Sequence, residues 1–534
     1  MMWILIIIII VIAIALGCYK IVDSHKYWTR KGVVQGKPMF LLGDIWGIIF
    51  RRYSIPELNL QLYNISPNAR YCGLYQFLQP TLLIRDPDLI KQITVKDFDH
   101  FVDHRSFIPA SSDPLLENTL FALTGMKWRE MRSTLSPSFT SSKMKYLFSI
   151  ISQNGEQFVK HFQEQEKDIV TVEMRDVITK FTNDVIANAV FGYECNSLKD
   201  PNNEFYLMGK IGTNLANFRT LFVVIGSIVI PQFIKLFKFT FFPKNMTQFF
   251  SRIVKENIDS REKRGVVRPD MINLMLQARK PNFKYEHSLS IPDTGFATVE
   301  ESDIGQDQKF SKKDITDEDI TAQALIFFLA GFDSVSSLLC FMSHELAVNQ
   351  DVQAKLIQEV DDTWNECDGK ITYEALMSMK YMDMAVSETL RKWPNAIAID
   401  RICTKPYTIE PKSPNEKPFR LEINDNVSIS IYALHRDPQY YPDPDRFDPE
   451  RFSDENKSKM HPYTYIPFGT GPRSCIGSRF ALMETKVLFF HLLSSFEIVP
   501  VEKTQIPIRL SKKAINMSPE KGFWVGLKKR ATRT

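Results

Sequence analysis

Cys475 stands in the run Pro467-Phe468-Gly469-Thr470-Gly471-Pro472-Arg473-Ser474-Cys475-Ile476-Gly477, just before a helical pattern from Arg479 to Leu493. A thiol at a helix N-terminus meets unpaired N–H groups and the positive end of the helix dipole, which lowers its pKa and makes thiolate accessible near neutral pH. Glycines at 469, 471 and 477 let the backbone turn tightly and lie close against a flat macrocycle. Peptide N–H groups aimed at the sulfur tune its electron donation to a metal. A glycine-rich turn that happens to hold a buried cysteine accounts equally well for a bare GxxC pattern. The other cysteines, Cys18, Cys72, Cys195, Cys340, Cys367 and Cys403, form no CxxC pair, and the total of seven is odd. Neither a zinc knuckle nor a disulfide framework is suggested, and these six read as buried thiols.

Three further groupings carry chemistry. Ala330-Gly331-Phe332-Asp333-Ser334 puts an acid and a hydroxyl beside two small residues in an otherwise apolar run. Buried polar groups need a reason: the small residues leave room for a diatomic molecule, a helix distorted here frees carbonyls for a hydroxyl, and the acid and alcohol relay protons. Trp128 and Arg132, at i and i+4, give two donors on one helix face, suited to holding carboxylates. A Trp stem packed under an exposed Arg is the alternative. Glu388 and Arg391 form an i,i+3 acid and base pair that any helix surface can carry.

These residues need long helices to hold them. From about residue 50 to 275 the pattern is mainly helical, as in Ser141 to Glu166 and Asp176 to Val190. The polar stretch 280–315 reads as a long exposed loop. A long helix starts near Thr316, with Asp317, Glu318 and Asp319 complementing its dipole, and carries Asp333 and Ser334 in its middle. Strand candidates are late, at Tyr407 to Ile409 and Val427 to Ile431, so a small sheet domain is expected beside a larger helical one.

The chain has 534 residues, 44% of them apolar, with 39 Phe, enough for a large core. Its net charge of +4 is too small to argue for nucleic acid. Residues 1–19 form an apolar run near the roughly 20 needed to span hydrocarbon. No Lys or Arg precedes it, which favours an uncleaved anchor over a signal peptide. Lys20, Lys26, Arg30 and Lys31 follow it and leave the body in the cytosol. Residues 20–45 are expected to be a linker and 46–534 a catalytic unit. The apolar stretch 220–243 is broken by Pro231, Lys235 and Lys238; it fits a pair of core helices or a surface element dipping into a membrane.

The cysteine loop resembles the haem-binding signature FxxGxRxCxG of the cytochrome P450 family, with every fixed position filled. The other segments resemble its WxxxR, AGxDT, ExxR and PERF regions in the same order, the last at Pro449-Glu450-Arg451-Phe452. The resemblance runs from the anchor to about residue 510 and is closest to insect microsomal members of the clan that includes vertebrate drug-metabolising enzymes. It implies a mainly α (α+β) fold with a large helical domain and a small β-rich domain. It implies haem b, with Cys475 the axial thiolate, Phe468 packed on the sulfur, Gly469 and Gly477 lying against the ring, and Ala330 leaving room for oxygen. Trp128, Arg132, Arg401, Arg473 and Arg105 are the expected propionate donors, Asp333 and Ser334 the catalytic pair, and Arg451 the third member of a structural network with Glu388 and Arg391. Ser334 departs from the family's threonine. The implied activity is NADPH-dependent monooxygenation of a lipophilic xenobiotic, insecticide, plant toxin or lipid-like compound at the endoplasmic reticulum membrane. No flavin or nicotinamide fingerprint occurs here, so electrons come from NADPH-cytochrome P450 reductase, with cytochrome b5 as a further partner. Lys127 and Arg129 fit a docking face for it or ordinary solvated charge. Two other classes stay open: a haem-thiolate isomerase or dehydratase acting without oxygen, and a haem-binding carrier or sensor without turnover.

Overall fold

The computed structural model describes residues 2–106, 113–214, 218–265, 267–279, 297, 315–414 and 416–531. The polar stretch expected over 280–315 therefore lies almost wholly outside the described residues.

Ten helices matter to the site and its surroundings: α1 (Met2–Ser24), α2 (Gly125–Leu135), α3 (Ser141–Gln163), α4 (Met174–Ile186), α5 (Phe218–Val229), α6 (Pro231–Leu236), α7 (Asp317–Ala330), α8 (Ser336–Val348), α9 (Lys380–Lys392) and α10 (Ser478–Ser495). In α3, Met144, Leu147, Phe148, Ile151, Phe158 and Phe162 recur at helical spacing and are buried, so one stripe packs inward. That stripe meets α10, which is buried on nearly every side and runs through the centre of the helical core. The start of α7 is fixed by a capping box: Thr316 Oγ1 accepts from the Asp319 N–H at 3.1 Å, and the Asp319 carboxylate accepts from the Thr316 N–H at 2.9 Å.

Between α7 and α8 the helix is interrupted by one π-helical stretch, Gly331–Val335. The span Asp317–Val348 is apolar and long enough to cross a membrane, yet 67% of its most apolar window is buried inside the molecule, so it is the core helix of the fold. In α1 that figure is 0%. This helix continues past the expected boundary at residue 19 to Ser24. The following stretch, read as a linker, is packed: fully buried Trp28 donates to the Leu74 carbonyl at 3.0 Å, and the Asp44 carboxylate accepts from the Tyr75 N–H at 2.7 Å.

Among the described residues, nine strands form three sheets: β1 (Tyr71–Gln76), β2 (Gln79–Ile84), β3 (Ile169–Glu173), β4 (Ile399–Ile402), β5 (Tyr407–Ile409), β6 (Phe419–Leu421), β7 (Asn426–Ile429), β8 (Phe496–Val499) and β9 (Trp524–Lys529). The largest has the order β1-β2-β7-β4. β7 lies parallel to β2, pairing Val427 with Leu82, and antiparallel to β4, pairing Val427 with Arg401. That register carries Arg401 to the rim of the helical core. β1, β2 and β3 fall in the half of the chain expected to be helical. They are short and mostly buried, and β2 and β3 also pair with strands hundreds of residues away, so local pattern could not reveal them.

In 220–243, Pro231 divides the apolar run, because proline cannot supply the N–H that a continuing helix needs. The result is a short surface pair. Phe222, Phe233, Leu236 and Phe237 are exposed, while Val223 and Ile234 are buried.

Candidate active site

The cysteine loop is a set of tight turns. The Cys475 N–H donates to the Phe468 carbonyl at 2.9 Å, and the Ser474 N–H to Gly471 O at 2.9 Å. Each glycine has its own reason. Gly469 (φ +75°) and Gly471 (φ +70°) are left-handed, and a Cβ at Gly471 would stand 1.8 Å from the Thr94 carbonyl oxygen, so Gly471 serves the fold. A Cβ at Gly477 would meet nothing nearer than Phe139 at 3.9 Å. Any need for glycine there comes from whatever fills the space beside it.

That space is a cavity of about 380 Å³. Cys475, Phe468, Gly469, Gly477, Ala330, Ser334, Arg401 and Arg473 all border it, and most of the remaining wall is apolar, including Leu147, Ile186, Val190 and Phe327. Cys475 is accessible because it opens onto this cavity. Burial raises its thiol pKa above the ordinary value, against the lowering expected from the helix start; the Gly477 N–H at the sulfur and the Arg132 charge oppose burial without overcoming it. A bound cation is the kind of neighbour that reverses this balance.

Elsewhere on the cavity wall, the π-helical stretch frees carbonyl groups, and hydroxyls collect them. Ser334 Oγ donates to Ala330 O at 2.6 Å, Thr182 Oγ1 to Phe332 O at 3.1 Å, and Ser336 and Ser337 each to Asp333 O at 2.9 Å. The Asp333 side chain does not border the cavity; it pairs with Arg175, whose Nη1 also donates to Ser337 at 2.6 Å. Arg175, on α4, is a site residue that no spacing in the sequence marks.

The cavity edge is cationic. Arg401 is buried; it donates to the Asp400 carbonyl at 2.7 Å and more weakly to the Thr470 carbonyl at 3.5 Å, and its Nε has no hydrogen-bond partner among the described residues. Burial lowers its pKa to about 10. Arg473 lies over the Trp128 ring, 4.0 Å from its centroid, and donates to the carbonyls of Val102, Leu120 and Leu123. Burial, then the neighbouring Arg401, bring its pKa down to about 9, with Arg132 acting the same way and Asp103 against it. Arg132 donates to the Ser474 carbonyl at 3.0 Å, and so buttresses the cysteine loop from behind.

Trp128, Arg132 and Arg105 stand behind the wall rather than in it. Arg105 is turned away: its guanidinium donates to Gln76 at 2.7 Å and its main-chain N–H to Asp400 at 2.6 Å. The preceding residue, His104, borders the cavity instead, as does Asn395. Both come from loops without periodicity, so nothing in the sequence singles them out.

A thiol on one wall, a hydroxyl-bonded carbonyl on another, apolar sides, and a buried cationic rim with an unpartnered guanidinium nitrogen suit a flat, metal-holding macrocycle with acidic side chains. Glu388 and Arg391 lie deeper. Both are fully buried, joined at 2.6 and 2.8 Å, with Arg451 at 3.5 Å from Glu388 and the Asp448 N–H donating to it at 2.9 Å.

Residues 68–525 match the sequence profile of the family described as Cytochrome P450. Cytochrome P450 9e2 of Blattella germanica is 44% identical over 525 residues, covering 96% of this chain and 95% of that protein. Probable cytochrome P450 9f2 of Drosophila melanogaster is 38% identical over 517 residues, covering 95% and 96%. Cytochrome P450 6k1 of Blattella germanica is 35% identical over 497 residues, covering 93% and 92%. With the profile spanning most of the chain and relatives this similar along nearly their whole length, the chain belongs to the cytochrome P450 family and is a haem monooxygenase.

Proposed function

We propose that this monooxygenase inserts one oxygen atom of O2 into lipophilic small molecules, with Cys475 as the axial thiolate and the 380 Å³ cavity as the shared site of haem and substrate. The observation that carries the reading is that Cys475 and the Ser334–Ala330 pair border one largely apolar cavity with Arg401 and Arg473 on its rim. Haem held there supplies the redox and oxygen chemistry; the protein's own groups do the rest. Arg401 and Arg473 offer N–H groups to the two propionates, and Arg132 and Trp128 hold the loop and Arg473 in place. The apolar wall selects lipophilic ligands such as insecticides, plant toxins or lipid-like compounds, and keeps bulk water from the reacting atoms. Ser334 Oγ is the hydroxyl that holds a proton at the cavity, and Asp333, paired with Arg175 behind it, is the acid that would pass protons from solvent toward it.

Electrons reach the site from NADPH through a membrane-bound reductase, with cytochrome b5 as a second donor. Lys127 and Arg129 belong to the surface such a donor would meet, although Arg129 is already paired with Asp99 at 2.5 Å. Helix α1, whose most apolar window is unburied, anchors the protein in the endoplasmic reticulum membrane, with the catalytic unit in the cytosol.

The test is spectroscopic and then kinetic. The reduced carbon monoxide complex should show the strongly red-shifted thiolate band, and Cys475→Ala should lose it; retention of that band would make another cysteine the ligand. With purified reductase, a panel of lipophilic compounds should drive NADPH consumption. Turnover of a peroxide without NADPH would instead favour an isomerase or dehydratase. Ser334→Ala should lower product formed per NADPH consumed, because the side chain that hands protons inward is gone; unchanged coupling removes Ser334 from the mechanism.

A further inference from the structure

His104 borders the cavity next to the cationic rim and takes part in none of the steps above. Its Nδ1 lies 3.1 Å from the Asp400 carbonyl and 3.2 Å from the Asp400 carboxylate, so this nitrogen carries the proton. Arg401 Nη1 stands 3.5 Å from the same atom but donates at 2.7 Å to the Asp400 carbonyl instead. The ring stacks on Phe121, with centroids 5.4 Å apart and planes at 17°. Its plane and tautomer are thus fixed from two sides. Nε2 has no hydrogen-bond partner among the described residues and in the neutral ring is a bare acceptor.

We propose that His104 is a proton-linked partner for a carboxylate of the cofactor: it takes up a proton at Nε2 to donate to that carboxylate, and thereby makes the cofactor's electron affinity depend on pH. The inference rests on the haem-thiolate reading. A lone pair facing a carboxylate is repulsive, whereas a protonated imidazole donates to Asp400 through Nδ1 and to the ligand through Nε2. The charged groups facing the ring are Asp400 and Arg401 on β4 and Arg473 on the cysteine loop. Burial lowers the imidazole pKa in the protein alone; Asp400 acts against this, and Arg401 and Arg473 with it. Two propionates at the rim would offset the two arginines and leave Asp400 to favour the cation. Arg105, the cation expected on this loop, is spent on Gln76, which leaves His104 as the loop's group at the cavity.

A positive charge beside the cofactor favours its reduced, more negative state. The ferric/ferrous midpoint should therefore fall as pH rises and His104 loses its proton. The measurement is spectroelectrochemical titration of the substrate-free holoenzyme from about pH 6 to about 8.5, the range in which a histidine titrates. The wild type should show a downward slope. His104→Phe, which keeps a ring on Phe121, should flatten it at the low potential, and His104→Lys, permanently charged, should flatten it at the high one. A slope that survives both substitutions, or a flat wild type, overturns the proposal. A slope that appears only when lauric acid is added also overturns it, since the carboxylate then belongs to an acidic ligand and not to the cofactor. The thiolate band of the carbon monoxide complex is recorded for each sample; its absence from the wild type would sink the haem-thiolate reading instead.

Discussion

Arg391 and Arg401 lie on neighbouring elements, and both are within 1% of complete burial, yet their surroundings differ in kind. Arg391 has a carboxylate, Glu388, bonded by two of its nitrogens, and the His435 carbonyl at 2.9 Å on a third. Arg401 has carbonyl oxygens, an unpartnered Nε, the Asp400 carboxylate near enough to favour its charge only in part, and Arg473 beside it. Burying a guanidinium costs several kcal/mol unless an anion compensates it. The first cluster is compensated within the fold and therefore belongs to the architecture. The second is a pair of desolvated guanidiniums, Arg401 and Arg473, whose pKa values stay lowered despite Asp400 and Asp103 beside them, which is the condition of a site that a ligand's anions would complete.

Cutting the compensated cluster should have the largest effect. Glu388→Ala strands Arg391 without its counter-ion, a loss of about 3–5 kcal/mol. The expected result is no thiolate band and a collapsed thermal transition in expressed protein. If Glu388→Ala kept its haem and melted near the wild type, the distinction between the two clusters would fail.

Acid is the next way to separate them. His435 sits inside the compensated cluster: its Nδ1 donates to the Arg391 carbonyl at 3.2 Å and its Nε2 accepts from the Ile466 N–H at 2.9 Å. It is bonded as the neutral ring, and burial, then Arg391, lowers its pKa to about 3. The unfolded chain takes up a proton near pH 6.5 and the native one does not until about 3, so native stability falls with pH across that window. Between pH 6.5 and 5 this single group costs about 2 kcal/mol. His435→Leu should be less stable than the wild type at pH 7.5, because it strands the Arg391 carbonyl and the Ile466 N–H. The gap should narrow by about that amount at pH 5, read from denaturant midpoints at the two values. A constant gap would mean that His435 is not held neutral.

The contrast also explains what could be read without coordinates. The cysteine loop, the acid and hydroxyl of the π-helical stretch, and the Glu388–Arg391 pair are local: residues a few positions apart, on one turn or one helix face, whose types betray their task. The start of α7 was legible for the same reason, since Thr316 and the acids after it cap it in sequence. Arg473 comes with the cysteine loop, but the rest of the rim was not legible in this way. Arg401 reaches the cavity through the β7–β4 register and His104 through a loop, while Arg175 reaches Asp333, behind the wall, through the packing of α4 against the π-helical stretch. His104 and Arg175 depend on contacts across more than a hundred residues, and Arg401 on a strand pairing that its own segment does not announce. The thiol is legible only in part for a related reason: the helix start is visible locally, while the burial that acts against it is a property of the whole fold.

Arg401→Met gives the smallest change in the fold and the sharpest test of the comparison. The substitution keeps the length and apolar stem of the side chain, removes a charge whose burial Asp400 offsets only in part, and frees the Asp400 carbonyl for His104 Nδ1, already 3.1 Å away. In the haem-free chain, stability should stay level or rise, since replacing an incompletely compensated buried ion with an apolar group of similar size removes a desolvation cost. In the haem-bound protein the same substitution takes a donor from a propionate. Transfer of haem to excess apomyoglobin should then speed up by roughly tenfold, the equivalent of about 1.4 kcal/mol for one charge-assisted hydrogen bond. The two signs must be opposite. A buried arginine that served only the architecture, as Arg391 does, would destabilise both forms when lost. Destabilisation of both by Arg401→Met would therefore place Arg401 with Glu388 and Arg391, and leave the rim to Arg473 and His104.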